Sequence, residues 1–173
     1  LGKEVLIALQ QLGVDVLDER PSEFMRPDGT RAYLYDFGLR LDDATRAALA
    51  DRTETDVENG FCSAFSAAWR GDAETDRFSA LVLRAGLPWR EVAVLRAYAR
   101  YARQLGSPYG VQYMADTLLG LPGVARGLLA LFRARFDPSL RGAGEAGIAT
   151  VTDRETAIAA ALQDLRRRID AVT

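Results

Sequence analysis

The chain has 173 residues, 49% of them hydrophobic, so it is long enough and apolar enough to bury the core of an ordinary globular domain. Its formal net charge of −2 gives no electrostatic reason to expect a nucleic acid or an anionic membrane as partner. It contains no histidine and one cysteine, Cys62, which excludes a Ser-His-Asp triad, an internal disulfide and a multi-thiolate metal site.

One helix and one strand are predicted at the start of the chain. Valine and leucine recur at helical spacing over residues 1–12, and Gly13 follows as a residue that can end a helix in the left-handed conformation. The β-branched stretch 14–20 then predicts a short strand that is stopped by Pro21.

A second strand is predicted after a turn at residues 26–30, which have the sequence RPDGT. Alternation along residues 31–41 places five hydrophobic side chains on one face: Tyr33, Tyr35, Phe37, Leu39 and Leu41. A helix followed by two strands is the middle of a βαββαβ ferredoxin-like arrangement, the architecture of ACT modules that bind small effectors. We therefore predict that residues 1–41 are the C-terminal part of an ACT-like α/β module, whose first strand and effector loop would lie before Leu1.

Residues 42–138 change to a helical pattern and are predicted to form a helical bundle. Helices are expected at about 42–52, 56–70, 73–86, 88–105, 107–120 and 122–138. Their spacing predicts a core that contains Phe65, Trp69, Leu95 and Phe132. Cys62, beside an apolar face, is expected to be a small buried residue.

The helix predicted at 88–105 has two unlike faces. Its apolar face carries Val92, Val94, Leu95, Tyr98, Ala99, Ala102 and Leu105. Its other face carries Trp89, Arg90, Arg96, Arg100 and Arg103. Such a row of guanidinium groups can pair with phosphate or carboxylate, or form a solvated face beside acidic neighbours. Because arginine and tryptophan are enriched in interface hot spots, we predict an interface at Trp89, Arg96, Arg100 and Arg103.

Two other clusters receive a structural interpretation. Asp72, Glu74 and Asp76 lack the glycine and the bidentate glutamate of a calcium loop, so they are predicted to complement a helix N-terminus. The chain also carries four tyrosines that could stack bases: Tyr98, Tyr101, Tyr109 and Tyr113. Without a basic overall charge, core or interface packing is the better interpretation. No catalytic, cofactor-binding or metal-binding residue is predicted.

The end of the chain is predicted to be a connector and a helix. Residues 139–151 contain three glycines and lack helical spacing, which is typical of a Gly-rich connector. Thr152 and Glu155 then fit a capping box, and apolar residues follow them at helical spacing. Residues 152–173 are therefore predicted to form the last helix. The fold class is mostly α (α+β), with an incomplete helix-strand-strand unit before a helical bundle.

Several short motifs stand together in a recognisable order. They are LYDFGLRL at 34–41, FSAAWRGDAETDRFSALVLRAGLPWRE at 65–91, LRAYARYARQLG at 95–106 and LFRARFDP at 131–138. In this order they resemble the segment that precedes the catalytic domain in the large bacterial NAD-dependent glutamate dehydrogenases. The resemblance covers most of the chain.

The resemblance implies a parent enzyme that oxidatively deaminates L-glutamate to 2-oxoglutarate and ammonia with NAD. The only lysine is Lys3, whereas the family uses lysine and aspartate around its substrate, so this segment alone is expected to be non-catalytic and to bind no cofactor. Residues 152–173 would then link toward a catalytic domain outside this chain. Expected partners are the catalytic and regulatory domains of the same chain, in a homo-oligomer.

Two other functions stay open, a freestanding helical protein-interaction domain and a helical nucleic-acid-binding module. No apolar run approaches the roughly 20 residues needed to cross a bilayer, and the N-terminus has no basic and apolar leader. We therefore predict a cytoplasmic protein with neither a membrane nor a nucleic acid among its partners.

Overall fold

The computed structural model describes residues 2–138 and 149–172, with side chains in the second stretch described from residue 154. The chain divides into two compact units, Leu1–Trp89 and Arg90–Thr173. The mostly helical α+β fold predicted from the sequence is confirmed. Positions 139–148 of the predicted connector lie outside the described residues.

The first unit begins with a helix and a β-hairpin and continues with helices. Its elements are α1 (Lys3–Gln11), β1 (Val14–Met25), β2 (Arg31–Leu41), α2 (Asp43–Leu49), α3 (Glu54–Trp69), a 3-10 turn at Arg77–Ala80 and α4 (Leu81–Arg84). As predicted, α1 ends before Gly13, which has a φ of +90°.

The hairpin is longer than its sequence indicated. The prediction that Pro21 stops the first strand is wrong, because β1 continues to Met25 and pairs Pro21 with Tyr35. Within the described residues β1 and β2 form a two-stranded sheet, so a proline that lacks an N–H can be accommodated on an edge strand. The turn prediction is confirmed: Asp28 accepts a hydrogen bond from the Thr30 N–H, and Gly29 has a φ of +80°.

Only the base of the hairpin joins the core of the first unit. Val5, Leu9, Val14 and Leu83 are buried there, and the partly buried Val16, Phe37, Leu41, Val57, Phe61 and Phe65 pack against them. Tyr33 and Leu39 were expected on the same buried face but are 56% and 40% exposed. The register shifts between Val16 and Asp18, and beyond this bulge the residues of β1 are exposed.

The buried stripe of α3 is narrower than predicted. Ala64 and Ala67 are buried, whereas Trp69 is 62% exposed, so its assignment to the core is wrong. At 100° per residue, Trp69 lies about 200° from Ala67, on the opposite side of the helix. Cys62 is likewise exposed rather than buried. Phe65 is half-buried and packs against the core as expected.

The helical segment that leads into α4 begins further along the chain than the sequence predicted. The 3-10 turn starts at Arg77, not near residue 73, and Asp76 caps it by accepting a hydrogen bond from the Phe78 N–H. The Ser79 hydroxyl accepts one from the Asp76 N–H and completes a capping box. The helix-start interpretation of Asp76 is thereby confirmed. Phe78 and Leu81 of this segment are at most 1% exposed and belong to the core.

Two arginines tie α4 to the residues before α3. The Arg84 Nη1 donates to Asp42 Oδ1 at 3.0 Å and to Thr45 Oγ1 at 3.2 Å, beside the N-terminus of α2. The Arg52 Nη1 donates to the main-chain oxygens of Val82 and Leu83. A cation at the last carbonyls of a helix satisfies groups that have no partner within the helix.

We expect the Asp42→Ala variant to lose about 1 kcal/mol of unfolding free energy, because Asp42 caps α2 through the Thr45 N–H. That hydrogen bond, aided by Arg84, holds the pKa of Asp42 below its ordinary value. A lowered folded-state pKa makes the contribution full at neutral pH and removes it as the pH falls from about 4 through the folded-state value.

Urea titrations of the variant and the parent chain at several pH values check this. The two curves should converge in acid. Asp43→Ala is the matched control, because the Asp43 side chain is 96% exposed and pairs only with the exposed Arg46 among the described residues. Its cost should stay within about 0.5 kcal/mol. An equal loss in both variants would contradict the capping role.

The second unit contains four described helices: α5 from Trp89, at the unit boundary, to Gln104, α6 (Val111–Gly120), α7 (Pro122–Phe136) and α8 (Ala149–Asp170). The predicted bounds of α5 and α7 are close to those observed, and Pro122 is the first residue of α7. The prediction that Thr152 caps the last helix is wrong, since α8 already begins at Ala149.

Helix α8 packs closely along α7. Gly127 is the contact residue of α7: a Cβ placed there would lie 3.0 Å from Leu165 Cδ1 and 3.2 Å from Arg168 Cδ. Leu165 is 7% exposed and Leu129 of α7 is 1% exposed. Arg154 of α8 donates to the main-chain oxygens of Arg135 and Asp137 and so satisfies the end of α7.

Candidate functional site

The buried stripe of α5 differs from the predicted one at three positions. Val92, Leu95 and Ala99 are buried as expected, but Tyr98 and Leu105 are 50% and 69% exposed. The third difference is Arg96, which was placed on the solvated cationic face and is only 5% exposed.

The burial of Arg96 follows from its position rather than its residue type. It lies four residues after Val92 and three before Ala99, so it shares their side of the helix. Arg96 is also engaged in an interaction within the structure, as a buried guanidinium must be. Its assignment to the solvated face is therefore corrected.

The remaining residues of the predicted interface differ in exposure. Arg100 and Arg103 are exposed, three residues apart on α5. Arg103 Nη1 donates to the main-chain oxygen of Ser107 and closes the end of the helix. Trp89, half-buried, is the first residue of α5 and the last of the first unit. The interface role of this set stays a prediction.

An ion pair that the sequence gave no reason to expect joins α5 to α7. The Arg133 Nε donates to Glu91 Oε1 at 2.8 Å, and its Nη2 donates to the same oxygen. Glu91 Oε2 is buried and has no hydrogen-bond partner within the described residues. The two residues are 42 positions apart, so no local pattern could have paired them.

A hydrophobic groove of about 300 Å³ lies between α5 and α7 in the second unit. Its lining, which we call the α5–α7 groove, consists of Val94, Leu95, Tyr98, Leu128, Leu129, Leu131, Phe132, Arg135 and Phe136. The rings of Tyr98 and Phe132 meet edge to face at 6.1 Å, and those of Phe132 and Phe136 lie 5.0 Å apart. Phe132, predicted to be a core residue, is therefore half-buried in a groove wall.

The tyrosines lie on the surface rather than in the core. Tyr98, Tyr101, Tyr109 and Tyr113 are 50–58% exposed. Tyr109 and Tyr113 stack at 5.1 Å beside a second hollow of about 450 Å³ formed by α5, α6 and α7. The core alternative for these residues is wrong, and the interface alternative stays a prediction.

No group of three His, Cys, Asp or Glu side chains in the described part of the chain is placed to hold a metal ion. Among the same residues, no single helix is both long and apolar enough to cross a bilayer; α6 and α7 reach that composition only as a pair bent by 106°. What the second unit presents is an aromatic surface with arginines beside it.

Two family models match the chain. Residues 3–52 match the model described as glutamate dehydrogenase, ACT3 domain, and residues 73–138 match the one described as glutamate dehydrogenase, helical motif 3. The ACT-like interpretation of the helix and hairpin agrees with the first match. The second covers the 3-10 turn and helices α4 to α7.

Three similar proteins are named NAD-specific glutamate dehydrogenase. The one from Mycobacterium tuberculosis is 40% identical over 164 residues, which are 94% of this chain and 10% of that protein. Those from Halomonas elongata and Pseudomonas aeruginosa are 38% and 37% identical over 80% and 77% of this chain, and 8% of each protein is covered. The chain thus spans about a tenth of the length of these curated relatives. Together the two family models and the relatives show that this chain belongs to the NAD-specific glutamate dehydrogenase family.

Proposed function

We propose that this chain is a non-catalytic segment that links regulatory and catalytic parts of an NAD-dependent glutamate dehydrogenase. The parent would oxidatively deaminate L-glutamate to 2-oxoglutarate and ammonia, with NAD as the oxidant. The names of the relatives support this parent over a freestanding interaction domain, because the similarity extends over 94% of the chain. The matched models support the linking role, since they describe an ACT domain and a helical motif.

The observation that carries the linking role is a core shared by the two matched regions. Val5, Leu9 and Val14 belong to the ACT3 match, and Leu83 belongs to the helical motif 3 match, yet all four are buried together. The hydrogen bonds of Arg52 and Arg84 join the same two regions. Because packed cores resist continuous deformation, displacing α1 or the hairpin would displace α4.

Through this shared core, a structural change in the ACT-like module could be transmitted to helical motif 3. Within helical motif 3, residues 77–84 adopt regular structure in the first unit, and α5 begins at Trp89, the last residue of that unit. A shift of the ACT-like module would therefore reach the motif through α4. Proposed partners are the catalytic and regulatory domains of the same chain, within a cytoplasmic homo-oligomer.

The non-catalytic part of the proposal predicts that the 173-residue chain does not bind NAD with micromolar affinity. Pyrophosphate binding in such enzymes uses a glycine-rich turn between a strand and a helix, and the glycines at 142–147 follow no predicted strand. Isothermal titration calorimetry of NAD into the purified chain checks this, with the full-length parent as the positive control. Micromolar binding of NAD to the chain would refute the proposal that this segment binds no cofactor.

The linking part predicts that the Arg100→Glu/Arg103→Glu double variant of the full-length enzyme has altered glutamate oxidation or effector response. Reversing two exposed charges at a docking surface should change kcat/KM or the effector midpoint by at least about threefold, as rim and hot-spot charges do. Arg96 is left intact, because replacing a buried guanidinium would perturb the fold.

The control is the Arg166→Glu/Arg167→Glu double variant, which makes the same charge change at exposed positions of α8. Both variants should melt within about 2–4 °C of the parent, since surface substitutions usually change stability little. Unaltered kinetics and effector response in the Arg100/Arg103 variant would contradict the docking role. If the control variant changed the kinetics or the effector response equally, the cause would be the altered net charge and not the loss of a docking surface.

A further inference from the structure

The α5–α7 groove has the composition of a ligand site between helices. Eight of its nine lining residues are apolar or aromatic, and its volume of about 300 Å³ is at the lower end of the range for small-molecule pockets. Its walls come from two helices that are held together at fixed points. The Glu91–Arg133 ion pair and the edge contact of Tyr98 with Phe132 both bridge α5 and α7.

One charged group belongs to this apolar lining. Arg135 is exposed and lines the groove, and its side chain makes no hydrogen bond or ion pair within the residues that the structure describes. Its neighbours on α7 and α8 differ in this respect. Arg133 is bound to Glu91, and Arg154 is bound to the main-chain oxygens at the end of α7. Arg135 therefore offers a guanidinium fork beside a hydrophobic groove.

This combination selects for ligand chemistry. The rings of Tyr98, Phe132 and Phe136 favour an aromatic or similarly flat apolar group, which they can contact edge to face. A single guanidinium matches the geometry and the charge of one carboxylate, whereas phosphate sites usually gather several donors and cations. Tyr98, which also lines the groove, carries a hydroxyl group that can form hydrogen bonds.

We propose that the α5–α7 groove binds a small aromatic monocarboxylate, with its ring against Tyr98 and Phe132 and its carboxylate on Arg135. The proposal is independent of the linking role, because it rests only on the second unit. A ligand of this size in a shallow groove is expected to bind with a Kd on the order of 1 mM.

The test uses the 173-residue chain and two probes of the same shape, 3-phenylpropanoate and its uncharged amide. Two-dimensional ¹H–¹⁵N NMR titrations report both affinity and position. The acid should shift α5 and α7 resonances saturably and bind about fivefold more tightly than the amide, through the charge-assisted bond to Arg135. Shifts outside the groove residues, or equal affinity for the two probes, would overturn the proposal.

Three variants locate the site. Arg135→Gln should reduce the affinity for the acid about fivefold and leave that for the amide unchanged, because only the charge is removed. Arg166→Gln removes an exposed charge from α8 outside the groove lining and should change neither affinity. Val94→Trp should fill the groove and abolish binding of both probes. If the Val94→Trp variant fails to fold, the Arg135→Gln variant still tests the proposal, because it changes an exposed residue.

A groove that instead seats a helix from elsewhere in the parent polypeptide gives a different result. The isolated chain would then show no saturable shifts with either probe up to about 10 mM, well above the expected Kd. That outcome would overturn the carboxylate proposal. So would an Arg135→Gln variant that binds the acid as tightly as the parent chain.

Discussion

Replacing Phe78 with alanine is expected to lower the free energy of unfolding of the first unit by about 3–5 kcal/mol. Phe78 is 1% exposed and is among the largest fully buried side chains described. It lies in the capped 3-10 turn that begins with Asp76 and leads into α4. Its loss would leave a cavity beside helix α4, which the ACT3-matched residues contact.

Tryptophan fluorescence in a urea titration measures this change, because both tryptophans of the chain, Trp69 and Trp89, lie in the first unit. Trp69→Ala is the control, since it removes an even larger aromatic ring from an exposed position and leaves Trp89 as the reporter. Its effect should stay within about 0.5 kcal/mol. A Trp69→Ala cost equal to that of Phe78→Ala would contradict the observed orientation of α3.

Periodicity identified the elements of this chain because the helices are bounded by glycine and proline and carry repeated apolar residues. It failed for two residues whose helix face is set by other buried positions. Trp69 was assigned to the core because it follows Phe65 by four residues, although Ala64 and Ala67 define the buried side of α3. Arg96 was grouped with the other arginines of α5 on its cationic face, although Val92 and Ala99 define the buried side of that helix. In both helices, small buried residues were the better guide to the face.

Other features depend on tertiary contacts that no local pattern contains. Pro21 ends a strand in a sheet interior but not in a two-stranded ribbon, so the length of β1 depends on how many neighbours the strand has. Glu91 and Arg133 meet only because α5 and α7 are brought together. The α5–α7 groove is left open for the same reason: the spacing of Leu128, Phe132 and Phe136 predicts an apolar stripe without saying how closely another helix covers it.

The Gly127→Leu variant is expected to separate α8 from α7 at a cost of about 2–3 kcal/mol in the second unit. The new Cβ would lie 3.0 Å from Leu165 Cδ1, and the rest of the side chain would have to displace the α8 backbone, since Leu165 Cα is 3.6 Å away. Overpacking of this kind costs about 1–3 kcal/mol or somewhat more, and the better helix propensity of leucine offsets less than about 1 kcal/mol of it.

Hydrogen exchange followed by mass spectrometry is the suitable measurement, because it reports on α8 separately from the rest of the chain. The α8 amides should exchange about 30- to 150-fold faster in the variant, which is the population change that corresponds to 2–3 kcal/mol. The matched control is Ala130→Leu, which adds the same side chain at an exposed position of α7 and should leave exchange in α8 unchanged. Full protection of α8 in Gly127→Leu would show that the two helices can tolerate a larger spacing, and that the close approach at Gly127 is not what holds them together.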